Sequence, residues 1–242
     1  MRVEWHGQSA FSLEGADAKV FVDPFGDMTP LADRGRRFEY PPIEAEGVDL
    51  VLVTHEHLDH NGVSAIGGDP TVLRATAGRH ESPIGEVVGV PSEHDPSGGT
   101  ERGPNTIFVF ELDGVRVAHF GDFGQSELRP EQREAIGEVD MLLIPVGGGL
   151  TIGASQAAKI VEELEPRWVV PTLPHAASRL PRDRRRVPRP DAARPAPRRV
   201  ELRHRRPARG RAPADRGAGR AVGDRARFRP APPRERWWPA CR

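Results

Sequence analysis

Val53-Thr54-His55-Glu56-His57-Leu58-Asp59-His60-Asn61-Gly62 places three histidines and a carboxylate within six residues, directly after the β-branched apolar run Val51 to Val53. The run reads as a buried strand that ends in a loop. Side chains of an extended segment alternate with a period of two, so His55 and His57 point the same way and one cation can take both. Asp59 and His60 lie past the bend and can turn towards a second, neighbouring cation. The bland alternative is a polar loop with incidental histidines. Imidazoles packed so closely would repel when protonated and gain nothing without a metal, which favours the metal reading.

Composition sharpens the picture. The 242 residues carry zero formal net charge, but the balance is uneven: residues 1–170 hold 13 Lys+Arg against 29 Asp+Glu, and residues 171–242 hold 22 Arg, no Lys and 6 acids. An acidic domain therefore precedes a basic tail. The start, Met1-Arg2-Val3-Glu4-Trp5, lacks a charged-then-apolar signal pattern, and no apolar run approaches membrane-spanning length, so a cytoplasmic protein is expected. With Cys241 the single cysteine, a disulfide framework and a thiolate zinc finger are excluded. Any metal must be held by His and carboxylate.

Upstream of the motif, Val3–Trp5, Ala10–Leu13 and Lys19–Val22 read as three antiparallel strands, with Asp23-Pro24-Phe25-Gly26 stopping the third. Residues 27–47 read as a loop able to cover the site. Downstream, Thr71–Arg74 and Glu86–Val90 are strand candidates, and His94 is again a histidine at a strand's end. Alone it reads as a solvated loop histidine, but a site short of a third nitrogen ligand reverses that preference. Thr106–Leu112 and Val115–Phe120 flank Asp113-Gly114, a hairpin signal, and the second arm runs into Gly121-Asp122-Phe123-Gly124. There Asp122 is either a turn residue or a ligand that backbone approaches closely, and by itself it reads as a turn. Pro130 to Ile136 reads as a short helix, Met141–Pro145 as a buried strand, Ser155 to Leu164 as an amphipathic helix and Trp168–Val170 as the next strand.

With these residues in view, residues 1–170 resemble the metallo-β-lactamase superfamily, through His55-x-His57-x-Asp59-His60. More narrowly, Trp5-His6-Gly7-Gln8-Ser9-Ala10-Phe11, Val22-Asp23-Pro24-Phe25, Gly121-Asp122-Phe123-Gly124 and Pro145-Val146-Gly147-Gly148 resemble the bacterial metal-dependent hydrolases that include the ascorbate-6-phosphate lactonase-like proteins. Gln8 departs from that pattern, which usually carries His there. The resemblance implies an α/β fold, a four-layer αβ/βα sandwich with metals at one edge, here lacking its C-terminal closing element. It implies that His55, His57 and His94 hold one divalent ion, that Asp59 and His60 hold another, and that Asp122 bridges the two. Zinc is the expected metal, although the same ligands accept manganese or iron. Such a pair of ions acidifies a water to a pKa of about 7, and Asp59 can orient that water or take its proton. The expected activity is hydrolysis of an ester, lactone or phosphodiester in a small molecule. The alternatives are iron-dependent oxygen or sulfur chemistry on the same ligands, or a non-catalytic metal-binding protein whose basic tail binds nucleic acid.

A seventh ligand, a histidine in a Pro-Met-His-Tyr-like run, is implied after Trp168–Val170; Pro171-Thr172-Leu173-Pro174-His175 breaks that run. From Pro171 onward 72 residues contain 22 Arg and 13 Pro and no apolar period, a composition that reads as disordered. A shifted reading frame accounts for both changes. Leu173 to Arg179 can be encoded by CTA CCG CAC GCC GCG TCG AGA, which one base later reads TAC CGC ACG CCG CGT CGA, or Tyr-Arg-Thr-Pro-Arg-Arg. Deleting two bases from CCG ATG CAC TAC gives CCG ACA CTA C, which turns Pro-Met-His-Tyr into Pro171-Thr172-Leu173. On this reading a role for His175 would be accidental, the second metal site is weakened, and hydrolysis by this chain is expected to be reduced or lost.

Overall fold

The structure, a computed structural model, describes residues 1–30, 38, 40–172 and, for the backbone alone, 198–201. All of them fall within one compact unit, Met1–His204. The strands are β1 (Arg2–Gly7), β2 (Ala10–Glu14), β3 (Lys19–Val22), β4 (Leu50–Val53), β5 (Thr71–Arg74), β6 (Gly78–Ser82), β7 (Gly85–Glu93), β8 (Pro104–Leu112), β9 (Val115–His119), β10 (Met141–Pro145), β11 (Trp168–Thr172) and β12 (Arg198–Glu201). Helices α1 (Pro130–Ile136) and α2 (Ala154–Leu164) complete the named elements. One sheet has the order β12-β1-β2-β3-β4-β5 and the other β11-β10-β9-β8-β7-β6.

Period-two alternation sends each strand's residues to opposite faces, and this sorts the core into layers. Between the sheets, Phe11, Leu13, Val20, Val22, Leu50 and Leu52 meet Val87, Phe108, Phe110, Val117 and Leu143. On the outer face of the second sheet, Val90, Ile107, Val109, Ala118, Leu142 and Ile144 are covered by Ile136 of α1 and by Ala157, Ile160 and Leu164 of α2. Those three α2 residues lie at the helical spacing that gives one apolar stripe. Each helix begins with a glutamine that reaches back to the preceding backbone: Arg129 N–H donates to Gln132 Oε1 at 2.9 Å and Gly153 N–H to Gln156 Oε1 at 2.9 Å.

The outer face of the first sheet, Ala10, Phe21, Val51 and Val53, packs on Phe25, Met28, Ile43, Ala45 and Val48, with Phe38 and Tyr40 alongside. The 27–47 segment therefore packs its described apolar residues on this face. Its polar composition hid a handful of apolar anchors, among them an edge-to-face contact of Phe25 with Phe38 at 4.7 Å between ring centroids. Strand β6 is also new. Gly-Arg-His-Glu-Ser carries no apolar alternation, and the strand forms because β7 offers it an antiparallel partner from Gly78↔Gly89 to Ser82↔Gly85.

Strand direction positions the site. Strands β3, β4 and β5 run parallel, as do β9, β10 and β11, and two antiparallel steps through β8 give β7 the direction of β9. The C-terminal ends of β3, β4, β7 and β9 are followed by Asp23, the histidine motif, His94 and Gly121-Asp122.

Strand β11 continues two residues beyond the break expected at 170, and Arg198–Glu201 pairs with β1 from Arg2↔Glu201 to Trp5↔Arg198. This is a strand within the stretch whose composition reads as disordered. The remaining tail, including His175, lies outside the described residues. Thr172, 1% exposed, ends β11 with an Oγ1 that has no hydrogen-bond partner among the described residues. A buried unpaired hydroxyl is costly, so the near-isosteric Thr172→Val is expected to raise the unfolding free energy by about 1 kcal/mol. A denaturant midpoint that falls instead would show a partner for this hydroxyl.

Candidate metal centre

The motif leaves β4 and turns: the N–H groups of His60 and Asn61 both donate to the His57 carbonyl, at 2.9 and 3.1 Å. The turn gathers the imidazoles. His55 has ring centroids 4.6 Å from His57, 4.1 Å from His60 and 4.9 Å from His94. Two groups with all ligand atoms within 4.8 Å of one another result: His55, His57 and His94, and His55, His60 and Asp122. Asp59 belongs to neither group. Its Oδ2 stands 3.9 Å from His60 Nε2 on a carboxylate that is 21% exposed.

Residues that sequence reasoning did not assign fix the ring orientations. The Asp23 carboxylate, fully buried, accepts from Thr54 N–H at 2.8 Å, from the Thr54 hydroxyl at 2.8 Å and from His60 Nδ1 at 2.8 Å. A carboxylate in that position only accepts, so Nδ1 of His60 keeps its proton, and once Nε2 gives up its own, the lone pair faces Asp122. Having donated to Asp23, the Thr54 hydroxyl accepts from His55 Nδ1 at 3.1 Å, which likewise leaves His55 Nε2 as a lone pair. That nitrogen faces His57 Nδ1 at 2.9 Å, a contact that requires a proton or a cation between the two.

Asp122 is set by Asn105, whose Oδ1 accepts from Asp122 N–H at 3.0 Å while its amide donates to the Phe120 carbonyl at 3.0 Å. The flanking glycines answer the question that the sequence left open. A Cβ on Gly121, which has φ +55°, would meet Asn105 Oδ1 at 2.5 Å and Thr54 Oγ1 at 2.6 Å. One on Gly124 would meet the His94 carbonyl at 2.3 Å. Both glycines allow close backbone approach around Asp122. His119, also unassigned from sequence, accepts from Gly121 N–H through Nδ1 and donates from Nε2 to the Ser9 carbonyl, so it braces the same turn as a neutral ring. Its burial lowers its pKa, in keeping with that neutrality.

Electrostatics separate the two groups. Burial, followed by the neighbouring His60, holds His55 far below the ordinary imidazole range, and burial with His94 lowers His57. For His60 burial opposes a charge, but Asp122, Asp23 and Asp59 outweigh it and raise its pKa well above the usual value. Burial likewise opposes the charge on Asp122, yet the charge of His60 and the close approach of His60 and His94 hold its carboxyl well below the usual range. His94 Nε2 lies 3.0 Å from Asp122 Oδ2. His60 Nε2 and Asp122 Oδ1 face each other at 3.3 Å, buried, and neither satisfies a hydrogen bond. A buried nitrogen and a buried carboxylate oxygen without hydrogen-bond partners among the described residues, beside further imidazoles, suit a divalent cation.

Two stacked mixed sheets with a histidine and aspartate cluster at their strand ends make up the framework of a metal-dependent hydrolase. A family model described as a beta-lactamase superfamily domain matches residues 2–173. A UPF0173 metal-dependent hydrolase of Pyrococcus furiosus is 34% identical over 197 residues, covering 71% of this chain and 83% of the relative. Another from Pelotomaculum thermopropionicum is 31% identical over 201 residues, with the same coverage. Among solved structures, a candidate zinc-dependent hydrolase of the metallo-β-lactamase superfamily from Thermotoga maritima aligns with a TM-score of 0.56 at 30% identity, covering 71% of this chain and 74% of that one. CmlA, a diiron β-hydroxylase from Streptomyces venezuelae, is 18% identical with a TM-score of 0.51 over 71% of this chain and 44% of its own, a likeness of fold alone. The chain belongs to the metallo-β-lactamase superfamily.

Proposed function

We propose that this chain is a hydrolase that uses two divalent ions to cleave an ester, lactone or phosphodiester bond. The observation that carries the reading is the convergence of four imidazoles and Asp122, with Asp23 and Thr54 holding the protons of His60 and His55 on the nitrogens turned away from the cluster. His55, His57 and His94 would hold one ion, and His60, Asp122 and Asp59 the other. Ions there would supply an acidified water and a Lewis acid for the oxygen that gains charge. Zinc is the proposed occupant, the neutral nitrogen and carboxylate donor set being suited to it. The chain's own residues do the rest. Asp23 and Thr54 keep lone pairs aimed inward, Asn105 and the two glycines hold Asp122, and Asp59, more open to solvent than His60 and Asp122, orients the nucleophilic water and takes its proton. Purified protein should cleave 4-nitrophenyl esters or bis(4-nitrophenyl) phosphate, lose that activity to a chelator and regain it with zinc. Turnover that a chelator leaves untouched would refute the reading.

Residues 171–242 are proposed to arise from a frame change within the codons that follow Pro171. Support comes from the family match, which stops at residue 173, and from Thr172, whose buried hydroxyl lacks a partner where the unshifted frame would place methionine. The second site would then lack its last histidine and bind more weakly. Resequencing the gene across the codons for Trp168 to Asp183 decides this: two additional bases support it, and the frame as printed removes it. As to membranes, no helix among the described residues is long and apolar enough to cross one.

A further inference from the structure

We infer that Arg102 makes the cavity beside the His55–His57 pair a binding site for a substrate that carries an anionic group, carboxylate or phosphate, apart from the bond that is cleaved. The inference rests on the hydrolase reading and specifies its substrate class. The cavity, about 180 Å³, is lined by His55, Glu56, His57, Ala75, Arg102 and Pro104. At roughly 30 Å³ for each water it has room for about six waters, or a fragment of similar size. It therefore takes a short substituent next to the imidazoles.

The charges in its wall are not balanced. Glu56 is held by Arg74 in a two-pronged pair, Nε to Oε1 at 3.0 Å and Nη2 to Oε2 at 2.7 Å, and Asn61 donates to it as well. Its charge is answered outside the cavity. The guanidinium of Arg102 has neither ion pair nor hydrogen bond among the described residues. Among the charged residues of the wall, Glu56 is thus already answered and Arg102 is not. An arginine in the lining of the recess, with its guanidinium unpaired among the described residues, offers a planar fork of donors that suits a carboxylate or a phosphate.

The position of Arg102 is built in. Asp95, 2% exposed, accepts four backbone N–H bonds, from Ser97 at 2.8 Å, Gly99 at 2.9 Å, Glu101 at 3.1 Å and Arg102 itself at 2.8 Å. The loop closes where Gly103 N–H donates to the Gly99 carbonyl and His94 N–H to the Gly103 carbonyl. One carboxylate thus ties the backbone of the cavity's arginine to the strand end that carries His94. Few loops of this length would hold a cation beside a metal ligand without such an anchor.

The test uses the metal-loaded full chain, its R102Q variant and R102K as the conservative control. Rates are compared on mono-4-nitrophenyl glutarate, which carries a remote carboxylate, and on the neutral 4-nitrophenyl pentanoate. Binding of glutarate and of phenylphosphonate is measured by isothermal titration. The ratio of kcat/KM for the anionic over the neutral ester is expected to fall by about ten- to a hundredfold in R102Q, with affinity for one of the two anions falling alike and partial recovery in R102K. Whichever anion loses more affinity identifies carboxylate or phosphate. An unchanged ratio with unchanged anion affinity overturns the inference and leaves hydrolysis standing. Should the wild type cleave neither these esters nor bis(4-nitrophenyl) phosphate, the hydrolytic reading fails, and the anion site is then decided by titration alone: weaker binding in R102Q supports it and equal binding overturns it.

Discussion

Replacing His55 with alanine is expected to lower hydrolytic kcat/KM by about three orders of magnitude or more and to strip the protein of tightly bound metal. His55 belongs to both ligand groups, so its loss breaks both. A cation in such a site contributes several kcal/mol of charge stabilisation in the transition state, and each factor of ten in rate corresponds to about 1.4 kcal/mol. Because His55 is buried, the variant also loses packing. The half-exposed His57→Ala separates the two effects, since it should lose metal and activity with little change in the denaturant midpoint. His80, which lies on β6 and whose ring contacts the Ala77 carbonyl, is the control: its alanine variant should stay within about twofold of the parent, as surface substitutions usually do. Activity retained within tenfold in His55→Ala would remove the cluster from the chemistry.

The second large effect is expected at a residue that touches no metal. Asp23→Asn preserves shape but replaces one acceptor oxygen by an amide donor. The amide oxygen can still serve Thr54, which leaves the NH2 group facing His60 Nδ1. That nitrogen must then accept, the proton moves to Nε2, and the lone pair aimed at Asp122 is lost. Partners that orient ligands in this way are worth about 10–100-fold in metal affinity or activity, and a loss of this size is expected for the His60 and Asp122 ion. Competition against a chromophoric chelator measures it, with Asp140→Asn as the control, since Asp140 caps the Arg116 N–H away from the cluster. Equal affinities in Asp23→Asn and the parent would show that His60 does not depend on this bond.

How much of this was legible in the sequence follows from the range of the interactions. The strands around the motif were readable because apolar runs and turn residues are local signals. His55, His57 and His60 were readable because ligands for one ion came within a few residues of one another. His94 and Asp122 reach the cluster from the strand ends of the second sheet: His94 was legible only because the motif lacked a third nitrogen ligand, and Asp122 only through the resemblance to the superfamily. Asp23, Thr54, Asn105 and His119 act through contacts with chain far away, 31 and 37 residues in the case of Asp23 with Thr54 and His60, and their local context suggested no more than strand ends. Asp23-Pro24 did stop a strand as read, but its φ of +48° and full burial become informative only once the three donors around it are known. The tail's composition departs from that of the preceding residues from Pro171 onward, and Thr172, with a buried hydroxyl unpaired among the described residues, lies at that boundary.

Anomalous X-ray diffraction at the zinc edge, on crystals grown from metal-loaded full-length protein, tests the metal centre most directly. The account expects a strong peak about 2.0–2.1 Å from nitrogens of His55, His57 and His94, and a weaker, partly occupied one against His60 and Asp122. No peak at the cluster, or a sole peak elsewhere on the chain, would contradict it.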